Sequence, residues 1–134
     1  MTFVYLILAI VVAFAGYVRV APTNVEKFHK LPEFTADADE ESGVKRVISG
    51  DAATMAKLDE IAQATPRTKV LAGAASEGFV TYVTRSAGFG FPDYATVKLD
   101  GETIKIHSRL RFGRSDLGVN GKRVKAWIDA LGAM

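Results

Sequence analysis

Most side chains that could take part in chemistry lie between Arg85 and Arg123. Asp93 and His107, with Ser108 or Ser86, supply the residue types of an orienting carboxylate, a base and a nucleophile. His107 and Ser108 are neighbours in an alternating strand pattern, however, so their side chains point to opposite faces of a sheet. Two isolated His residues and no Cys offer no cluster of metal ligands. The sequence therefore predicts no catalytic residue, metal or cofactor, and a hydrolase with an unrecognised site is kept as an alternative.

The same region contains a hairpin signal. Asp100-Gly101 separates two alternating runs, and Asp-Gly favours a two-residue turn of type I′. A turn centred on those two residues pairs Leu99 with Glu102. The side chains that then point towards the core are Ile104, Ile106, Ser108, Leu110 and Phe112, with Asp93 opposite Ser108. The other face carries a basic row of four side chains, Lys105, His107, Arg109 and Arg111.

This basic row predicts an anion-binding surface. An Arg fork holds a carboxylate or phosphate through two parallel hydrogen bonds. Near a bilayer, each basic residue contributes about 1 kcal/mol towards binding anionic headgroups. The alternatives are a solvated sheet face, or internal use of Arg85 and Arg109 in ion pairs with Asp93 or Asp116.

Charge is unevenly distributed along the chain, although its net value is only +2. Residues 26–41 contain six acidic and two basic residues, a net charge of −4. Residues 102–125 contain seven basic and two acidic residues, a net charge of +5. Because opposite charges attract, the acidic stretch is able to lie along the basic one.

A second group of polar residues precedes the last predicted helix. Ser115 and Asp116 are typical of turns in which side chains bond to nearby backbone, and Asn120 is able to cap the helix. A phosphate or carboxylate at the helix N-terminus, held by Arg114 or Arg123, is the functional alternative. The complete set of candidate ligand-binding residues is Arg85, Asp93, Tyr94, Lys105, His107, Arg109, Arg111, Arg114, Asp116, Asn120 and Arg123.

Residues 3–18 form an uncharged apolar run of 16 residues. As a helix this run extends roughly 24 Å, and its flanking residues bring it close to the roughly 30 Å hydrocarbon core of a bilayer. We expect a single-pass anchor in the inner (cytoplasmic) membrane, which argues against a nucleic-acid partner. A cleaved signal peptide is the alternative, because Ala13-Phe14-Ala15 fits a cleavage pattern. Arg19 and the lysines after it favour a cytoplasmic domain, whereas the signal-like run favours the exported (periplasmic) side, which we prefer.

The remaining patterns predict an α+β domain. The expected organisation is a transmembrane anchor at 1–20, an irregular connector at 21–43 and the domain at 44–134. Expected elements are strands at 44–49, 68–72 and 79–85, a helix at 52–64 capped by Asp51, the hairpin, and a final helix that presents Val124, Trp127, Ile128 and Leu131. The order β-α-β-β-β-β-α predicts an antiparallel sheet of about five strands with both helices packed on one face.

Two motifs resemble domain-of-unknown-function family 1499. They are Arg85-Ser86 followed by Gly90-Phe91-Pro92-Asp93-Tyr94, and a longer pattern of Ser108, Gly113, Ser115-Asp116, Gly118-Val119-Asn120 and Arg123. The resemblance extends from about Val18 to the end of the chain and implies a membrane-anchored bacterial protein without a settled activity. It also leads us to expect a Ser near position 110, where this chain has Leu110.

We predict a membrane-tethered, non-enzymatic binding or accessory domain. It would engage a membrane-protein partner or an anionic ligand, such as an anionic lipid, through the basic sheet face. A purely structural envelope protein is a further alternative.

Overall fold

The computed structural model describes residues 1–133 and confirms the α+β class. Its elements are α1 (Thr2–Val20), α2 (Val25–Phe28), β1 (Ala38–Asp39), β2 (Gly43–Ser49), α3 (Ala52–Ala64), β3 (Thr68–Ala74), β4 (Phe79–Arg85), β5 (Pro92–Asp100), β6 (Thr103–Leu110) and α4 (Val119–Ala133), with a 3-10 turn at Ala75–Glu77. The strands form one antiparallel sheet in the order β1-β2-β6-β5-β4-β3. About five strands were predicted. The sixth is the two-residue β1, which lies in the stretch interpreted as an irregular connector.

Helices α3 and α4 pack together on one face of the sheet, as the pattern of apolar residues predicts. The core between them and the sheet includes Met55, Leu58, Ala62, Val80, Tyr82, Val97, Ile104, Ile106, Val124 and Trp127. The Trp127 ring meets the Tyr82 ring edge-on with centroids 5.9 Å apart, and its indole N–H donates to Thr65 Oγ1 at 2.9 Å. Asp51 caps α3 as predicted, accepting the Thr54 N–H at 3.0 Å.

The β5–β6 hairpin forms, but its predicted register is wrong by one pair of residues. Leu99 pairs with Ile104 rather than Glu102, and Asp100 pairs with Thr103. The central residues of the turn are therefore Gly101 and Glu102, with Gly101 at φ +65°. A type I′ turn on Asp100-Gly101 would need positive φ at both positions, whereas this turn places positive φ on a glycine alone.

The shift of register changes the cross-strand partners but preserves the faces. Side chains alternate with a period of two along a strand, so a displacement by two residues returns each one to its predicted side. Asp93 consequently lies opposite Leu110, and Ser108 lies opposite Ala95, so the predicted pairing of Asp93 with Ser108 across the strands is wrong.

Helix α1 is an apolar element whose surface is almost entirely outside the packed domain; only Val18 is buried. Among residues 1–133 it is the one helix long and apolar enough to cross a membrane, a property that an N-terminal signal sequence would share. Its last turns contact the domain at the loop between β4 and β5.

Candidate functional site

The outer face of the sheet, opposite α3 and α4, carries the predicted basic row. Ile104, Ile106 and Ser108 are fully buried on the helix side, so the alternate residues Lys105, His107 and Arg109 point outwards. The central part of this face is not open to solvent, because residues 21–34 of the connector lie across it. Each member of the basic row contacts or faces this segment or the acidic residues that follow it.

Arg109 is a half-buried cation of the row. Its guanidinium donates to the Phe28 carbonyl of the connector, to Thr96 Oγ1 at 2.8 Å and to the His107 carbonyl at 3.1 Å. Burial lowers the pKa of Arg109 to about 10. Arg109 is thus used internally, as one alternative held, but the ion pair with Asp93 or Asp116 is wrong because the partners are backbone and hydroxyl oxygens.

Arg111 and Tyr94 hold the start of the connector on the sheet through hydrogen bonds. Arg111 donates to the Pro22 carbonyl at 2.8 Å and to the Tyr94 hydroxyl at 3.2 Å. The buried Tyr94 hydroxyl lies 3.0 Å from Thr23 Oγ1, and its ring packs against Phe28 with centroids 4.4 Å apart. These two candidate ligand-binding residues hold the chain together internally.

His107 and Lys105 face the acidic part of the connector. His107 Nε2 lies 3.1 Å from Glu40, which also meets Lys45 at 3.4 Å, while Lys105 lies over the Phe34 ring at 5.9 Å. Burial and the neighbouring Arg109 lower the pKa of His107, and Glu40 opposes them. The acidic stretch thus lies along the basic one, as the charge distribution suggested.

A second, open part of the outer face lies next to the end of α1. We call it the anchor cleft: a cleft of about 360 Å³ lined by Arg19, Arg67, Lys69, Val83, Arg85, Ser86, Gly88 and Gly90. Four of these side chains are cationic. Across residues 1–133, no carboxylate lines the anchor cleft and none of its four cations forms a salt bridge.

The cations of the anchor cleft bond to backbone carbonyls. Arg85 donates to the Gly90 carbonyl at 2.9 Å and to the Val18 carbonyl at 3.2 Å, Arg67 donates to the Arg85 carbonyl at 2.9 Å, and Arg19 donates to the Gly88 carbonyl. Arg85, like Arg109, therefore does not form the predicted pair with Asp93 or Asp116. Carbonyl oxygens orient these guanidinium groups but leave their net positive charge uncompensated.

A polar network on the helix side of the sheet contains the other predicted residues. Buried Asn120 accepts a hydrogen bond from Ser108 Oγ at 2.5 Å and one from Arg123 at 2.9 Å. Its amide nitrogen donates to Asp116 at 2.9 Å and to Asp93 at 3.4 Å. Arg123 also meets Asp93 at 3.3 Å. Asn120 thereby joins Ser108 to Asp93, which do not bond directly.

Asp116, rather than Asn120, receives the free N–H groups at the start of α4. Its carboxylate accepts from the N–H of Gly118 and from the N–H of Asn120, each at 2.9 Å. Burial alone would raise the pKa of Asp116, but these hydrogen bonds outweigh it and lower the value. An anion at this helix N-terminus would have to displace a carboxylate, with Arg123 already engaged and Arg114 exposed.

The residues considered for a catalytic triad do not converge. His107 bonds to Glu40 on the outer face, whereas Ser108 bonds to Asn120 on the helix side. Asp93 lies in the polar network beside Arg123, and burial is the main cause that raises its pKa. Within residues 1–133, no group of three or more His, Asp or Glu side chains is arranged to hold a metal ion.

One known protein family matches most of the chain. Residues 19–131 match the family model described as protein of unknown function (DUF1499). The chain belongs to this family. The DUF1499 match begins at Arg19, so it covers the anchor cleft, the covered outer face and the polar network but not the apolar run before them. No curated protein matches the chain.

Three of the four anchor-cleft cations, Arg19, Arg67 and Lys69, were not among the predicted site residues. Lys69 lies in β3 and Arg67 directly precedes that strand with φ +57°. Antiparallel pairing of β3 with β4 brings both beside Arg85, whose N–H donates to the Arg67 carbonyl at 3.0 Å. The two cations are visible in the sequence, but their place beside Arg85 depends on the pairing of the strands. The place of Arg19 depends on how α1 packs, for which the sequence carries no local signal.

Proposed function

We propose that this DUF1499 protein is a membrane-tethered, non-enzymatic binding domain that takes an anionic group, a phosphate or a carboxylate, in the anchor cleft. The observation that carries the proposal is the collection of four cations in one cleft without a carboxylate among its lining residues in 1–133. Such a site is short of negative charge, which an anionic ligand would supply.

The position of the cleft beside α1 strengthens the case for this part of the outer face. The cleft lies against the end of an apolar helix, and electrostatic attraction is stronger beside low-dielectric material than in open water. Two guanidinium groups, from Arg67 and Arg85, are able to offer paired N–H donors to a planar carboxylate or to two oxygens of a phosphate. Lys69 adds a mobile point charge at the rim.

The length and apolar surface of helix α1 support a membrane tether. We propose that it crosses the inner (cytoplasmic) membrane once, with the domain on the exported (periplasmic) side, for which the signal-like character of residues 3–18 is the support. Arg19 belongs both to the end of α1 and to the anchor cleft, so the bound anion would lie at the membrane surface. A phospholipid headgroup and a soluble phosphate offer the same chemistry there.

The carboxylates of an integral membrane protein would satisfy the same cations. The chain would then act as an accessory subunit of a membrane complex. Exposed charge contacts are screened by salt, so such a partner would co-purify in detergent at low salt and be lost at high salt.

The test uses the full-length chain in detergent micelles. Native mass spectrometry reports which lipid is retained from a mixture of phosphatidylcholine and phosphatidylglycerol, and thermal unfolding with and without inorganic phosphate at equal ionic strength reports binding of the soluble anion. Arg67→Gln and Lys69→Gln remove cleft charge, and Lys57→Gln, on the exposed side of α3, is the matched control.

We expect wild type and Lys57→Gln to retain phosphatidylglycerol or to be stabilised by phosphate, and the two cleft variants to lose that response. Lipid retention without a phosphate effect identifies the headgroup as the source, and the reverse result identifies a soluble anion. If the wild-type chain shows neither response, or the cleft variants behave like Lys57→Gln, the proposed anion site is wrong.

A further inference from the structure

Two loops of the domain lie against α1 well before the helix ends. They are the β4–β5 loop, residues 86–91, and the loop that precedes α4, residues 111–118. The Phe91 ring from the first loop and the Phe112 ring from the second contact the Phe14 ring of α1, with centroids 6.0 and 6.4 Å away. Both loops therefore reach the level of Phe14.

Phe14 lies within the apolar run of α1 rather than at its end. It precedes Val20, the last residue of the helix, by six positions, which correspond to about 9 Å at 1.5 Å per residue. A bilayer that accommodates the run at residues 3–18 would therefore also surround the side chains of both loops that lie at this level. Arg19, whose guanidinium bonds to the Gly88 carbonyl, would lie near the headgroups.

Both loops expose apolar side chains next to α1. Leu117 is 88% exposed and Phe89 is 46% exposed, although Phe89 stacks on Phe91 with centroids 5.6 Å apart. Leu117 also has φ +55°, a left-handed backbone conformation that leucine rarely adopts. Leu117 and Phe14 line the same cleft, of about 500 Å³, so Leu117 lies on the side of the domain that faces the helix. Turn hydrogen bonds, such as that from the Leu117 N–H to Ser115 Oγ at 3.3 Å, hold this backbone, but the Leu117 side chain stays almost fully exposed.

The backbone of the β4–β5 loop is partly hydrogen-bonded within the chain. The N–H groups of Gly90 and Ser86 donate to the carbonyls of Ser86 and Phe91 at 3.1 and 3.0 Å, and the Phe91 N–H donates to Ser86 Oγ at 2.9 Å. Arg19 satisfies the Gly88 carbonyl. Backbone groups that enter the hydrocarbon region must find partners inside the protein, and these four hydrogen bonds meet part of that requirement.

We propose that Phe89 and Leu117 insert shallowly into the lipid bilayer beside α1, so that the domain docks directly on the membrane. The occupant of this surface is lipid rather than protein because the surface is continuous with the apolar wall of α1, the helix proposed to span the membrane. Docking holds the anchor cleft at the level of the headgroups. The inference rests on the membrane tether of the proposed function and not on the anion site.

The chain contains no Cys, so single-Cys variants can be labelled without background. The full-length protein is reconstituted in phosphatidylcholine–phosphatidylglycerol nanodiscs with an environment-sensitive fluorophore at Phe89→Cys, Leu117→Cys, Leu8→Cys or Glu102→Cys. Glu102 is exposed at the hairpin turn, at the far end of the nine-residue β5, about 30 Å from the loops. Lipids with a nitroxide near the top of the acyl chain quench fluorophores at shallow depth, and lipids with a nitroxide near the end of the acyl chain quench the label at Leu8, which lies in the middle of the run.

We expect labels at 89 and 117 to emit at shorter wavelength and to be quenched several-fold more strongly than the label at 102. Quenching of the label at Leu8 confirms the tether independently.

If the label at Leu8 is quenched while the labels at 89 and 117 resemble the label at 102, the docking inference is wrong and the tether stands. If labels at 89 and 117 shift without quenching by lipid, a protein contact covers the loops and the inference is also wrong. If Leu8 itself is not quenched, the tether fails, and with it the inference.

Discussion

Two groups of arginines share the outer face of the sheet but differ in what surrounds them. Arg109 and Arg111, in the centre, are covered by the connector and bond to oxygens of residues 22–28. Arg67 and Arg85, at the end nearest α1, line an open cleft together with Lys69 and bond to carbonyls at its rim. The same residue type on the same face therefore serves packing in one region and is available to a ligand in the other.

The comparison shows that position relative to the connector, rather than charge alone, separates the two uses. Glu40 lies beside His107 and Lys45 in the covered region, so the charge there is partly balanced within the chain. The anchor cleft has no such carboxylate among its lining residues in 1–133. A basic residue in the covered region should matter for stability, and one in the anchor cleft should matter for binding.

The largest effect is expected from Arg109→Met. The change removes donors to Phe28 and Thr96 and leaves their oxygens without these partners beneath the connector. We expect a loss of about 3 kcal/mol in the free energy of unfolding, measured by urea denaturation in detergent, and faster tryptic cleavage after Lys27. Lys69→Gln, in the anchor cleft, should change stability by less than about 0.5 kcal/mol. Equal effects of the two substitutions would remove the distinction between the regions.

Asn120→Ala extends the comparison to the polar network on the helix side. It leaves the Ser108 hydroxyl without its partner and removes one of the two acceptors of the Arg123 guanidinium, which keeps Asp93, and we expect a loss of about 2 kcal/mol. Thermal or chemical unfolding measures the loss, while retention of anionic lipid should be unchanged after correction for folded protein. A variant that folds as stably as wild type but loses lipid would instead identify this network as the ligand site.

The covered region should also respond to pH. Burial lowers the pKa of His107 in the folded state, so the unfolded chain binds the proton more readily and stability falls as the pH drops below about 6.5. His29, whose Nδ1 lies 2.7 Å from Thr81 Oγ1, has a pKa lowered by burial as well and acts in the same direction. In His107→Gln, the midpoint of thermal unfolding should decrease less between pH 7.5 and 5.5 than in wild type. An identical decrease in the two proteins would show that folding does not lower the pKa of His107.

The smallest effect concerns backbone strain at the anchor end. Among residues 1–133, the non-glycine residues with positive φ are Arg67 and Leu117, one in the anchor cleft and one in the loop beside α1. Leu117→Gly relieves this conformation, and we expect a gain of about 1 kcal/mol in detergent. A loss of stability would mean that the Leu117 side chain makes contacts within the chain that outweigh the strain.

The fold was largely predictable because its signals are local. Asp51 before an apolar stripe marks the start of α3, and alternation along β6 assigns each side chain to a face even though the hairpin register was misplaced by one pair. The connector was not predictable in the same way. Its contacts join residues far apart in the chain, such as Phe28 and Arg109, through a backbone carbonyl that every residue possesses.

The candidate site was predicted less completely than the fold for a related reason. Arg85 was among the predicted residues because it belongs to a recognisable motif, whereas the anchor cleft also draws on Arg19 and on β3, which is distant in the sequence. A row of cations in one strand is visible in the sequence. A cleft formed by segments that are distant in the chain is visible only in the tertiary structure.

One matched pair of charge reversals tests the central claim most directly. Lys69→Glu and Lys105→Glu make the same change on the same face, the first in the anchor cleft and the second in the covered region. Retention of phosphatidylglycerol by the full-length protein in detergent, measured by native mass spectrometry, should be lost in Lys69→Glu and kept in Lys105→Glu. Loss in Lys105→Glu with retention in Lys69→Glu, or the same retention in both, would contradict the assignment of anion binding to the anchor cleft.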